Sequence, residues 1–191
     1  NNVAVQFLVL QQGYPETGNG NTLLLRKDIY NTSAWNGTTA NAYAGSAVDV
    51  FLTNQYLLLL EEKIRDAVVQ AAIAYTPGNG DYTVTTIQRK VFLLSGTEVG
   101  FTAATLNTEG STIPYFNTNE RRIRTLQGEA SSWWLRSPRN NFNRYAYCVA
   151  VSGAIGDSET TTPRGVCPVF CLPSTIQVSL EPDSQGDYTL V

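Results

Sequence analysis

Between Arg139 and Asp157 the chain gathers side chains suited to holding another molecule rather than transforming it. Arg139, Asn140, Asn141, Phe142, Asn143, Arg144, Tyr145 and Tyr147 follow one another almost without interruption. Tyr and Phe supply large rigid contact area, Arg a planar set of donors, and Asn adaptable hydrogen bonding, which is the chemistry of a binding surface. The same residues also fit a plain surface loop running into a half-buried strand, since aromatic residues pack well on strands and asparagine is common in turns.

Reactive chemistry is thin by comparison. The chain has no histidine and no methionine, which removes Ser-His-Asp and Cys-His nucleophilic machinery, imidazole acid-base work and most zinc sites. Carboxylates, lysine and cysteine remain. The three cysteines, Cys148, Cys167 and Cys171, are an odd number, so one thiol is left over. Cys167 and Cys171 would lie about 13 Å apart in an extended segment, too far to bridge; buried small hydrophobes are the expectation. Asp157 with Glu159 is too sparse for a calcium cage, and Glu181-Pro182-Asp183 reads as a turn. No metal, cofactor or catalytic residue is expected.

With 191 residues and 42% hydrophobic content, one globular domain over residues 1–191 is expected. A net charge of −3 with scattered basic residues offers no footprint for nucleic acid or anionic lipid. The longest apolar run, Tyr56 to Leu60, falls far short of the roughly 20 residues of a membrane span. No basic segment followed by an apolar core opens the chain, so the expectation is a soluble domain without membrane insertion.

The elements that must position the aromatic segment follow from pattern. Val3 to Leu10 and Leu23 to Tyr30 read as strands around turn chemistry at Gly13-Tyr14-Pro15 and Gly18-Asn19-Gly20. Ser46 and Asp49 mark a helix start, with Val48, Leu52 and Tyr56 on one face. A further turn of helix is expected at Glu61 to Asp66, a strand over Ala67 to Thr76, a turn at Pro77 to Asp81, and one returning strand over Tyr82 to Leu94. Ser95 with Glu98, and Asn117 with Glu120, stand at capping-box spacing, so short helices are expected after each. Tyr145 to Ser152 alternates as a strand with its tyrosines on one face, Val166 to Leu172 reads as another strand, and Gln177 to Leu180 with Tyr188 to Val191 as a closing hairpin. Strands at both ends with two or three short helices between them give an α+β class. Trp133 and Trp134 belong to the core, and Arg136 anchors a loop by hydrogen bonds.

Phe92-Leu93-Leu94-Ser95 with Glu98-Val99-Gly100, the string Trp133-Trp134-Leu135-Arg136-Ser137-Pro138, and Gly165-Val166-Cys167-Pro168-Val169-Phe170 together resemble bacterial and phage domains with a C-type-lectin-like fold. Domains of this kind serve as the variable proteins of diversity-generating retroelements. Relatives usually carry arginine where this chain has Cys167, so a fixed ion pair there is not expected.

The resemblance implies a C-type-lectin-like fold of mixed and antiparallel sheets, with a diversified ligand-binding region over about 139–167 held on a fixed scaffold. Its contact residues would be Arg139, Asn140, Asn141, Phe142, Asn143, Arg144, Tyr145, Tyr147, Ser152, Ala154 and Asp157. Codons made by changing the two adenines of an asparagine codon cannot encode Lys, Glu, Gln, Met or Trp, and none of these stands between Arg139 and Ser158. They make up about one residue in eight of the chain, so chance would give such a gap roughly one time in fifteen. The implied function is a receptor-binding or adhesive domain of a phage virion or bacterial cell surface, with a host surface protein or glycan as partner. A homo-oligomer or a place in a larger virion or surface assembly is compatible with it. Two other readings stand beside it: an enzyme of the formylglycine-generating type using Cys167 and Cys171, and a purely structural phage or surface domain.

Overall fold

A computed structural model describes residues 4–15 and 20–190, so the turn expected at Gly18 and Asn19 lies largely outside the described residues. The class is α+β, rich in strands and poor in helix. A four-stranded sheet is built from β1 (Phe7–Gln12), β2 (Asn21–Arg26), β13 (Val169–Pro173) and β6 (Val91–Phe92), in that order. A five-stranded sheet runs β11 (Ile155–Glu159), β10 (Tyr145–Val149), β9 (Trp133–Pro138), β12 (Arg164–Val166) and β3 (Asn31–Ser33). Two separate hairpins complete it: β4 (Ala71–Tyr75) with β5 (Thr85–Arg89), and β7 (Arg124–Leu126) with β8 (Glu129–Ser131).

All the helices are short. Ser46 caps α1 (Ala47–Phe51), its side chain accepting from the Asp49 N–H at 3.2 Å. A π-turn (Leu52–Tyr56) and α2 (Leu57–Leu59) continue it, and Val48, Leu52 and Tyr56 are all buried. Next comes α3 (Glu62–Ala67), as the sequence indicates. A 3₁₀ turn (Pro114–Phe116) precedes α4 (Asn119–Arg122). Among the described residues, no helix is long and apolar enough to cross a membrane.

Several sequence expectations shift for identifiable reasons. The single strand expected over Tyr82 to Leu94 is two, because the chain leaves β4 at Lys90 and pairs with β13. Val166 to Leu172 is likewise split at Cys167-Pro168, where proline lacks the N–H a ladder needs and the chain crosses from the five-stranded to the four-stranded sheet. Ser95 and Glu98 do form a reciprocal box, at 2.8 and 3.0 Å. No helix follows, because Gly100 turns left-handed with φ +81° and ends the turn. Asn117 closes the 3₁₀ turn, leaving Thr118 at the start of α4. The closing hairpin reduces to one bridge, Val178 to Leu190, and Val191 lies outside the described residues.

Every residue of β9 is buried, since strands flank it on both sides and apolar layers cover both faces. Trp133 and Trp134 are core residues, each with its indole N–H on a backbone carbonyl, of Arg122 and Ser33 respectively, at 2.9 Å. Gly165 is required by close approach: a Cβ there would stand 2.9 Å from the Ser132 carbonyl and 2.6 Å from Ile29. All three cysteines are free and buried.

Arg136 is fully buried and forms a two-point ion pair with Glu98, at 2.6 and 2.8 Å. Its remaining donors reach the carbonyls of Leu93 and Ala74 at 2.8 and 2.9 Å. Tyr14 donates to Glu98 at 2.6 Å; burial and the Glu98 charge raise the Tyr14 pKa well above its ordinary value, keeping it a neutral donor. Burial alone would pull the Arg136 pKa down, but the charge and hydrogen bonds of Glu98, with Tyr14 and the Glu109 charge, together outweigh it and the guanidinium stays firmly protonated. A second buried carboxylate, Glu109, accepts from the Thr76 N–H at 2.7 Å and from the Ser137 hydroxyl.

Two predictions follow from this interior. Arg136→Met leaves Glu98 buried without its cation and should cost about 3–5 kcal/mol, read as a shift of the urea midpoint at unchanged slope. Burial raises the Glu109 pKa, against the charge of Arg136 and the Ser137 and Thr76 hydrogen bonds. The folded state therefore holds that proton more tightly than the unfolded chain, and the associated stability is present at low pH and lost as pH rises through the folded pKa. Glu109→Gln should gain stability relative to the native protein as pH is raised from about 4 to about 7; a melting temperature of the variant minus that of the native protein that stays flat or falls over this range would refute this.

Candidate functional site

The segment between β9 and β10 folds back on itself. Arg139 N–H bonds the Tyr145 carbonyl at 3.0 Å, Tyr145 N–H bonds the Phe142 carbonyl at 2.9 Å, and Asn141 takes φ +64°, a left-handed conformation that asparagine tolerates better than most residues. From beneath, the buried Asn41 amide donates to three carbonyls of this loop, Arg139 at 3.2 Å, Phe142 at 3.3 Å and Tyr145 at 3.0 Å. Asn41 is itself locked to the Pro77–Asp81 turn: its N–H donates to Asn79 Oδ1 at 2.9 Å, and its Oδ1 accepts from the Asn79 N–H at 2.8 Å. Beside the loop, the Tyr82 hydroxyl donates to Asn143 Oδ1 at 2.6 Å.

On this brace the side chains point outward. Phe142 is 45% exposed, and the Arg139 guanidinium lies over its ring at 4.1 Å. The Tyr145 ring meets Phe142 edge-on at 6.4 Å. Arg139 pairs with Asp157 at 2.9 Å and Arg144 with Glu159 at 3.0 Å. These partly exposed pairs add little stability; they fix where the two arginines stand. Asn141, Asn143 and Arg144 are exposed. The face is thus charge-balanced, aromatic at its centre and rich in amides.

Not every expected contact residue belongs to it. Asn140 is 8% exposed, with its N–H on the Thr105 carbonyl and its side-chain amide donating to Asn107. Tyr147 is 3% exposed, its ring tilted against Phe101, with its hydroxyl bonded to Thr105 at 2.7 Å. The segment 101–107 covers both of them. Ser152 and Ala154 are exposed but sit in the β10–β11 turn, at the opposite end of the hairpin, about 14 Å away by strand rise. Gly153 pins that turn to α4, since a Cβ there would fall 1.9 Å from the Asn119 carbonyl. The region 139–167 is therefore not one surface: Ser158, Thr160, Val166 and Cys167 are all buried.

Sequence reading missed Asn41, Tyr82 and Glu159. Asn41 stands about a hundred positions from the carbonyls it holds, and nothing local distinguishes it from any loop asparagine. Tyr82, next to a strong turn, carried a positional hint only.

The chemistry available here is contact chemistry. An adjoining groove of about 430 Å³ is walled by Thr97, Phe101, Leu106, Asn107 and Thr112 among others, and none of its lining residues is charged. Among the described residues, no group of three His, Cys, Asp or Glu side chains could hold a metal. Burial pushes the Cys167 and Cys171 thiols up to about 12, far from the reactive range.

Asn41→Ala should free three loop carbonyls and the Asn79 N–H from their partner, at a cost of about 1–3 kcal/mol. Hydrogen exchange should quicken at the Asn79 and Tyr145 amides while those of β9 stay protected; uniform exchange across both would contradict the brace.

No curated protein and no solved structure matches the chain significantly. A family model does match, over residues 19–174, taking in every strand from β2 to β13 and the whole of the braced loop. Since that is well over half of the 191 residues, the chain belongs to the family described as a domain of unknown function, DUF6273.

Proposed function

We propose that this domain is a ligand-binding module, with a C-type-lectin-like scaffold that presents the 139–145 loop, and that it catalyses no reaction. One observation carries the reading: the loop is held through its backbone carbonyls by Asn41 while Phe142, Asn143 and Arg144 face solvent. A preorganised backbone with exposed aromatic, guanidinium and amide groups spends little ordering entropy on binding. The partner class is a host surface protein or glycan, and the setting a phage virion or bacterial surface assembly, with the exposed loop as the diversified element of a retroelement variable protein.

The formylglycine-type enzyme has less support, because its candidate nucleophiles Cys167 and Cys171 are buried thiols raised to about 12. A purely packing role for the loop is the remaining competitor, and it is separable by experiment.

Phe142→Ala combined with Arg144→Glu should reduce binding of the labelled domain to host cells, or to an array of their surface proteins and glycans, on the order of tenfold or more. The melting temperature should hold, because both side chains lie outside the core. Undiminished binding by a fully folded double variant would defeat the proposal. A near-copy of the coding region for residues 133–173, differing at adenines and lying beside a reverse transcriptase gene, is the expected genomic mark of diversification.

A further inference from the structure

Strand β11 is an edge of the five-stranded sheet, and the side it pairs on is fixed by the ladder ends. The Thr160 N–H bonds the Arg144 carbonyl at 2.9 Å, and the Ala150 N–H bonds the Ala154 carbonyl at 2.8 Å. With an unbroken register between them, the even-numbered residues of β11 bond inward to β10, and Ile155, Asp157 and Glu159 turn their backbone groups outward. Among the described residues, the N–H and C=O of Ile155 and Asp157 have no partner across that edge. The Glu159 carbonyl alone is used, by the Thr162 N–H at 2.9 Å. The edge is therefore a row of unpaired donors and acceptors, which can template another strand.

Charge says what kind of strand. Asp157 and Glu159 lie on one face of β11, and each gives one carboxylate oxygen to an arginine, Arg139 and Arg144 respectively. Among the described residues, the second oxygen of each, Asp157 Oδ1 and Glu159 Oε2, accepts from no protein group. A second copy pairing antiparallel about Asp157 would set Asp157 against Asp157 and each Glu159 diagonal to the other copy's Asp157, and like charges across a ladder repel. A strand with basic side chains at alternate positions would place them beside those free oxygens.

The geometry points to β11 as a docking edge for an extended segment of a partner protein, added as a sixth strand and carrying Lys or Arg at the positions beside Asp157 and Glu159. This does not rest on the loop reading, since Phe142→Ala leaves the β11 backbone untouched.

The test uses the intact chain and three capped eight-residue peptides: one alternating Lys with Val, one with Glu in place of each Lys, and the Lys peptide N-methylated on alternate amides. The Lys peptide should slow hydrogen exchange at the Ile155, Asp157 and Glu159 amides at least tenfold, and the other two should leave it unchanged. Asp157→Pro removes the outward N–H together with the carboxylate that pairs with Arg139 and should abolish the protection at Ile155 and Glu159; Asp157→Asn, which gives up the same charge but keeps the N–H, should weaken that protection without abolishing it. The proposal is overturned if no peptide slows those amides. It is equally overturned if the N-methylated peptide acts as well as its parent, or if the amides are protected without peptide in a self-associated species.

Discussion

Removing a guanidinium from water costs several kcal/mol unless a charge and a full set of hydrogen bonds replace the solvent. Arg136 meets that demand at the centre of this domain, and much of the fold is arranged around it. It sits on the fully buried β9, between two tryptophans and a serine-proline pair. Its partner Glu98 arrives from the turn after β6, its other acceptors are the carbonyls of Leu93 and Ala74, and Tyr14 completes the shell from the first strand's end. Three chain segments far apart in sequence, around Tyr14, Ala74 and Leu93 to Glu98, are thereby gathered about one side chain, and the first of them lies before the region the family model matches.

The second buried carboxylate extends this arrangement toward the surface. Glu109 joins Ser137, the neighbour of Arg136, to Thr76 at the end of β4, and its own backbone is held by Thr97 and Ser95. The loop containing Thr105 and Asn107 is pinned at its far end in this way, and that loop covers Asn140 and Tyr147. A polar network this deep is favourable only when every member is satisfied, which ties the position of the candidate site to the integrity of the core ion pair.

Local signals were legible where local physics decides the outcome. The Ser46 cap, the Val48, Leu52 and Tyr56 stripe, the turn at Pro77 to Asp81, the tryptophan core and the binding composition of 139–145 could all be read from neighbouring residues. What escaped is non-local. That Glu98 would pair with Arg136, 38 positions away, could not be seen in its capping-box spacing. The burial of Tyr147 depended on Phe101 and Thr105, which no period-two pattern contains. Ser152 and Ala154 looked contiguous with the loop only because sequence distance hides the reversal of a hairpin.

The brace under the loop has a consequence for what the loop can carry. Asn41 holds the loop through main-chain carbonyls alone, and every non-proline and proline residue alike presents one. The geometry of the 139–145 backbone is thus specified from outside the loop, by a side chain fixed in turn by the Asn79 backbone and amide. Substituting Phe142 or Arg144 by any residue but proline changes the chemistry offered to solvent while the Asn41 bonds that shape the backbone stay in place, whereas replacing Asn143 also gives up its bond from Tyr82. Asn141 is the exception, because its left-handed φ of +64° disfavours β-branched replacements. A loop held in this manner separates folding from recognition: the buried charges and Asn41 determine where the surface stands, and the outward side chains are free to determine what it meets.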